Sequence, residues 1–285
     1  MRRGSRIPTI LNYSFFVLMA ILMLYPIWYV LMYSLSDPAK ESLNNYYLIP
    51  DGFTLQTYLY VLKLPHIIIG YKNTIFVTVA GTAISLFLTV ITAYPFSKKD
   101  LIGKKYFFGM MLVTMLFYGG VIPTYMVVRS LGLTDTLWAL IIPNALSVFN
   151  ILVMVKFFKG IPESLIESAK IDGYNDISIL IKIVLPLSTA VLASIGLFYA
   201  VGRWNEYLSC ALYITSREKK VLQVILRGML TEDSLGAQTG QLGLTTTPHV
   251  LRMAAIIITL VPILCVYPVI QKHFMKGLLI GAVKG

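Results

Sequence analysis

The sequence predicts an all-α polytopic membrane protein with six spans. Three observations carry that reading. Hydrophobic residues make up 57% of the 285 residues and charged residues only 13%, against roughly 45–50% and about 25% in soluble domains. The apolar residues fall in long runs rather than in amphipathic alternation. Six runs approach or exceed the roughly 20 residues that a helix needs to cross hydrocarbon, and none contains Asp, Glu, Lys, Arg or His. Length alone allows one or two domains at about 150 residues each. The unbroken succession of spans favours one transmembrane domain, residues 1–285.

The first run, Ile10–Leu35, follows Arg2, Arg3 and Arg6. It imitates a secretory signal, with Ser34-Leu35-Ser36 as a loose cleavage site, but it is too long for a signal core. It reads as an uncleaved span. The others are Asn73–Tyr94, Tyr106–Val128, Thr136–Val155, Ile183–Val201 and Met253–Gln271. Helices follow because lipid offers no partner for backbone polar groups.

Charge sets the orientation. Segments 1–9, 96–105, 156–182 and 272–285 hold 14 Lys/Arg in 60 residues, and segments 36–72, 129–135 and 203–252 hold 10 in 94. The denser set is cytoplasmic by the positive-inside bias, so both termini lie inside. The net charge of +11 divides as +9 inside and +2 outside. It is topological, and no soluble basic face points to nucleic acid. The outer segments 36–72 and 203–252 are long enough to suggest a role of their own.

Spans without ionisable groups argue against a proton-coupled carrier, a voltage sensor or an intramembrane protease. Gly103-Lys104-Lys105 lacks the Ser/Thr and the upstream glycine of a phosphate-binding loop. No nucleotide cofactor is expected on this chain, so any ATP-derived energy comes from another one. Cys210 and Cys265 read as small buried hydrophobes. His66, His249 and His273 lie too far apart for a metal site, and none is expected.

The most informative segment runs from Ile161 to Gly173, between spans four and five. Pro162 suits a first helical turn, and Glu163 complements the positive helix end. Gly173 suits the stop. Asn175 or Asp176 can cap a second short helix running into Ile183-Val184-Leu185-Pro186. A helix, a sharp turn and a helix at the membrane surface form an element that a soluble partner can push.

Glu167-Ser168-Ala169, three residues, Gly173, nine residues and Ile183-x-Leu185-Pro186 resemble the EAA loop of ABC-importer permeases. Ser168 for Ala is the one departure. Gly119-Gly120-Val121-Ile122-Pro123-Thr124-Tyr125, Leu131-Gly132-Leu133 and Trp204-Asn205-Glu206-Tyr207 look like the maltose-type carbohydrate permeases. So does the ending, with Lys276-Gly277-Leu278 and Gly281 to Gly285. The Gly-Gly-x-Ile-Pro-Thr run is similar to the LplC/YtcP-type branch.

The resemblance implies a type I importer permease fold, in a bacterial cell (inner) membrane. It implies a second homologous permease, two ATP-binding cassette subunits that hold the ATP and Mg, an extracytoplasmic solute-binding protein and an oligosaccharide cargo. Glu167, Ser168, Ala169, Asp172, Gly173, Ile183, Leu185 and Pro186 become the ATPase-coupling residues. The C-terminal tail is expected to add a second ATPase contact, and the loop about 215–247 to meet the binding protein.

Trp204, Asn205, Glu206 and Tyr207 are candidates for the substrate path, because sugars bind planar polar groups and aromatic faces. The competing reading is an interfacial aromatic belt with Arg203 and Glu206 paired at i, i+3. Tyr118, Gly119, Gly120 and Pro123 either kink span three beside the path or permit close helix packing. Asn144 and Asn150 serve interhelical hydrogen bonding or substrate contact. The rival functions are an importer permease for amino acids, peptides or phosphonates, an ATP-independent carrier and a membrane-embedded enzyme.

Overall fold

The computed structural model describes residues 6–40, 46–231 and 248–282, with side-chain surroundings for residues 11–265 of those stretches. It is helical. The one β feature among the described residues is an isolated antiparallel bridge from Ser36 to Phe53. Contacts divide the chain into two units, Met1–Ile68 with Leu226–Pro262 and Ile69–Ile225 with Ile263–Gly285.

In the first unit, α1 (Arg6–Ser34) is apolar all round, and only 6% of its most apolar window is buried. A uniformly apolar, unburied helix is one solvated by lipid or by another chain. Its end is packed: Tyr33 and Tyr47 have ring centroids 4.3 Å apart, and Trp28 Nε1 donates to Leu48 O at 3.0 Å. The unit continues with α2 (Gln56–Lys63).

The long α3 (Pro65–Ser97) leads into the second unit, which contains α4 (Lys104–Leu116), α5 (Val121–Ser130), α6 (Trp138–Ile141) and α7 (Val148–Lys159). The element expected to face the cytoplasm is α8 (Glu163–Ile171), α9 (Asp176–Ile179), a π-helical turn (Leu180–Val184) and α10 (Leu185–Leu187). Then come α11 (Thr189–Trp204) and α12 (Leu208–Tyr213), while α13 (Leu222–Thr231) and α14 (Pro248–Ala282) each divide between the two units.

Among the described residues, three helices are long and apolar enough to cross a membrane, or up to five crossings if each bent pair is one span. The third predicted span is such a pair. α4 and α5 meet at 116° across residues 117–120, where Gly120 takes φ +95°. The glycines serve a bend, not close packing within this chain: a Cβ at Gly119 would meet nothing within 4 Å. The fifth is bent by 83° at Ser188.

The fourth predicted span, Thr136–Val155, is not one helix. It is α6, an irregular stretch 142–147, and α7. Pro143 has no N–H to continue the helical ladder, and Ala145 N turns back to Ile142 O at 3.2 Å.

Two apolar clusters hold the second unit. One joins Ala93 and Tyr94 of α3 to Met154 and Phe158 of α7, Ala169 of α8 and Ile195 of α11. The other gathers Val77, Leu140, Ile141, Cys210 and Val221. Cys210 is buried as expected, but Cys265 is exposed, because its stretch of α14 is not covered by this chain.

Candidate functional site

The segment expected to couple, α8 to α10, follows the expected local chemistry. α8 begins at Glu163, one residue after Pro162. It ends in a Schellman arrangement: Gly173 N donates to Lys170 O at 3.1 Å, and Tyr174 N donates to Ala169 O at 3.0 Å. That closure places its C′ residue in the left-handed region, and Gly173 has φ +83°. Asn175 Oδ1 then accepts from Ser178 N at 2.8 Å and caps α9.

Glu167, Ser168, Asp172 and Gly173 are exposed, so they form the face open to a partner. Ala169 is not on that face. It is buried in the apolar cluster against α3 and α7, so its small size serves packing within this chain. Ile183 and Leu185 pack on the same cluster, and Pro186 is exposed.

Two ion pairs from consecutive lysines tie the end of α3 to this element. Lys99 Nζ lies 2.7 Å from Glu163 Oε2, and Lys98 Nζ lies 2.9 Å from Asp176 Oδ1. Lys99 holds the Glu163 carboxyl below its ordinary pKa, and Lys98 does the same for Asp176. Partial burial opposes the Lys98 charge, but Tyr94 and Asp176 outweigh it and raise its pKa. Lys98 also sits 4.6 Å from the centre of the Tyr94 ring. No spacing rule in the sequence signals these pairs.

A cleft of about 430 Å³ opens beside α7 and α11, lined in part by Asn144, Ser147, Asn150, Phe198 and Glu206. It brings together three of the residues singled out for a substrate path. Asn150 is nearly buried on the first turn of α7, where Ser147 Oγ accepts from its N–H at 3.4 Å. Asn144 is exposed on the break. Glu206 Oε1 accepts from Ser209 N at 3.2 Å and caps α12, while the residue still borders the cleft. Amides, a hydroxyl, a carboxylate and the Phe198 ring, with Tyr199 and Arg203 also on the lining, are the inventory that hydrogen-bonds and stacks on a polyhydroxylated ligand.

The remaining candidates lie elsewhere. Trp204 is buried, edge-on to Tyr71 with ring centroids 6.3 Å apart, so its face offers no stacking surface. Asn205 Nδ2 turns back to Val201 O at 3.0 Å and ends α11. Tyr207 is half-buried at the start of α12, and Tyr118 is exposed at the α4–α5 bend. None of these four lines the cleft.

Arg203 is the residue that sequence reasoning misplaced. It does not form the ion pair with Glu206 that the competing reading expects, because its donors go to backbone carbonyls. Its guanidinium is buried and donates to Leu140 O, to Ile141 O at 3.1 Å and to Asn144 O at 2.7 Å. The missed signal was Pro143 in an otherwise unbroken span. A proline there strands carbonyls, and stranded carbonyls need a donor.

Asp135 organises a loop junction with residues 215–219. Its carboxylate accepts from Thr215 N, Ser216 N, Ser216 Oγ and Lys219 Nζ at 2.6–3.0 Å. These donors hold its pKa well below the ordinary value, the Ser216 hydroxyl most of all. Residues 232–247 of the loop expected to meet a binding protein, and the tail's side chains beyond 265, lie outside the described residues.

A model described as "Binding-protein-dependent transport system inner membrane component" matches residues 75–279. The polygalacturonan/rhamnogalacturonan transport system permease protein YtcP of Bacillus subtilis is 42% identical over 284 residues, covering 99% of both chains. Protein LplC of the same organism is 40% identical, covering 99% of this chain and 97% of that one. A chain from the crystal structure of a bacterial ABC transporter involved in the import of the acidic polysaccharide alginate superposes with a TM-score of 0.90. It is 33% identical and covers 96% of this chain and 99% of that chain.

Proposed function

The chain belongs to the family of binding-protein-dependent transport system inner membrane components, and from that premise we propose that it forms half of the path of an ATP-driven oligosaccharide importer. It is a multi-pass membrane permease subunit and not an enzyme. The cargo is a fragment of a complex polysaccharide, and acidic ones come first because galacturonans and alginate are polymers of uronic acids. The whole chain, 1–285, acts as one transmembrane domain of six crossings with both termini cytoplasmic.

It pairs with a second permease, two ATPase subunits that carry the ATP and Mg, and an extracytoplasmic binding protein. Glu167, Ser168, Asp172 and Gly173 dock in the ATPase, and Ala169, Ile183 and Leu185 anchor that helix to the bundle. Closing the ATPases pushes α8, and the push passes through α9 and α10 into α11. The cleft at Asn144, Asn150 and Glu206 is this subunit's part of the sugar path.

The observation that carries the reading is similarity over 99% of the chain to a permease of a polysaccharide-fragment system. A tagged chain purified in mild detergent is expected to bring down a second permease and an ATPase, and Gly173→Trp to lose the ATPase alone. Proteoliposomes of that complex, supplied with its binding protein, should take up oligogalacturonides in preference to neutral malto-oligosaccharides. Uptake of an amino acid or peptide instead would move the cargo to another class. A chain that transports without an ATPase would end the importer reading.

A further inference from the structure

The break in the fourth predicted span is held from both sides by one helix. In a continued helix the carbonyls of Leu140 and Ile141 would accept from residues 144 and 145. Here Ala145 N goes to Ile142 O, and Arg203 supplies the donors instead. On the far lip, Ser147 N donates to Tyr199 Oη at 3.1 Å. Tyr199 and Arg203 stand four residues apart on α11 and so share a face.

Both side chains are braced by α3. A Cβ on Gly81 would come within 3.1 Å of Arg203 Nε, so the arginine crosses α3 where a side chain is missing. Ser85 Oγ lies 3.5 Å from Arg203 Nη2, and Thr89 Oγ1 shares a 2.9 Å hydrogen bond with Tyr199 Oη. Positions 81, 85 and 89 form one stripe at helical spacing. The result is a two-rung polar tie of α3, α11 and the break.

Arginine suits this task. Its planar fork presents several donors in fixed geometry, and it is more weakly hydrated than an ammonium. A burial of that kind is costly unless the charge is well hydrogen-bonded, and the carbonyls that the break strands supply those bonds. The stretch it holds carries Asn144 and ends one turn before Asn150, both on the wall of the cleft.

We propose that Tyr199 and Arg203 are positioning residues that fasten the break in the fourth span to α11, so that the cleft wall bearing Asn144 and Asn150 moves with the helix that the coupling element leads into. This rests on the importer reading above, and its effect on substrate rests on the cleft being part of the sugar path. The coupling motion reaches α11 through α10 and the bend at Ser188. The two rungs carry it across to the wall.

The test uses the assembled importer in proteoliposomes, with Cys210→Ala and Cys265→Ser as background. Asn144→Cys reports on the wall through its rate of modification by a water-soluble maleimide, with and without ATP. Arg203→Met and Tyr199→Phe should assemble in ordinary yield and abolish the ATP-dependent change in that rate. Without the cysteine probe, they should raise KM for oligosaccharide about five-fold or more, with Vmax reduced less. Arg203→Lys, which keeps a charge and some donors, should recover part of both effects.

A wall whose modification never responds to ATP, or responds equally in Arg203→Met and Tyr199→Phe, overturns the proposal. So does a loss of uptake that only follows a loss of assembled complex. Asn150→Ala separates the two readings. If it raises KM and the tie variants do not, the tie fails and the cleft stands. If it leaves KM unchanged, the cleft is not the sugar path, and the modification rates alone decide the tie.

Discussion

Lys99 Nζ stands 2.7 Å from Glu163 Oε2, and through that contact the loop that closes α3 holds the first residue of the coupling helix. The neighbouring Lys98–Asp176 pair holds the first residue of α9. The element proposed to meet the ATPase is therefore fastened to α3 at two points as well as continuous with α11. Exposed pairs contribute little to stability and weaken with salt, so an effect on the angle of the element, rather than on stability, is the outcome to test.

Lys99→Glu and Glu163→Lys should each lower ATP-driven uptake without moving the thermal midpoint of the complex appreciably. The double swap should restore most of the uptake. Transport assays on the three variants, at low and high salt, check this. Equal uptake in all of them would show that the pair does not set the angle.

Gly173 is open around its missing side chain, with no atom within 4 Å of a built Cβ. A small side chain there meets only backbone strain at φ +83°, of about 1 kcal/mol for an ordinary L-residue and less for Asn. Gly173→Asn should then retain more ATPase in co-purification than Gly173→Ala or Gly173→Val. Circular dichroism should leave all three folded. An Asn variant no better than Val would mean that the ATPase needs the surface free of any side chain.

Gly81→Val should act as an indirect Arg203 variant. The added methyls fall on a guanidinium pinned by three carbonyls, which cannot move aside as a free side chain does. The expected outcome is a lower thermal midpoint and impaired uptake, with Gly81→Ala milder. Combining Gly81→Val with Arg203→Met should cost less than the two separate losses added together. Full additivity in this cycle would show that the residues do not share one site.

Asp135 gives the molecule an acid-sensitive joint. Its folded-state pKa is depressed below the ordinary 3.8. The stability it contributes is therefore present above that value and lost as the pH falls below it. Asp135→Asn should lower the thermal midpoint at neutral pH and flatten its fall under acid. Melting curves at neutral pH and from about pH 5 down to about pH 2 measure this. A variant with the same acid profile as the native chain would remove Asp135 from the account.

Much of the local structure of the segment from Pro162 to Pro186 was legible in the sequence. The Gly173 stop, the Asn175 cap and the exposed Glu167 and Asp172 follow from local rules that act within a few residues. The cleft was legible in part. Asn144, Asn150 and Glu206 stood out as polar groups in or beside apolar runs, and the fold brings them to one wall. Trp204 stood out just as clearly, yet Tyr71, from a distant part of the chain, covers it.

Composition and spacing alone determined the helical class, the apolar runs and the turn chemistry of the coupling element, because each depends on the solvent or on neighbours along the chain. Only the tertiary structure decided that Ala169 faces inward, that the fourth span is broken and that Arg203 repairs the break. Those outcomes depend on which polar groups a break leaves without partners and which distant side chain can reach them. Arg203 lies about 60 residues beyond the carbonyls it serves, and no local rule spans that distance.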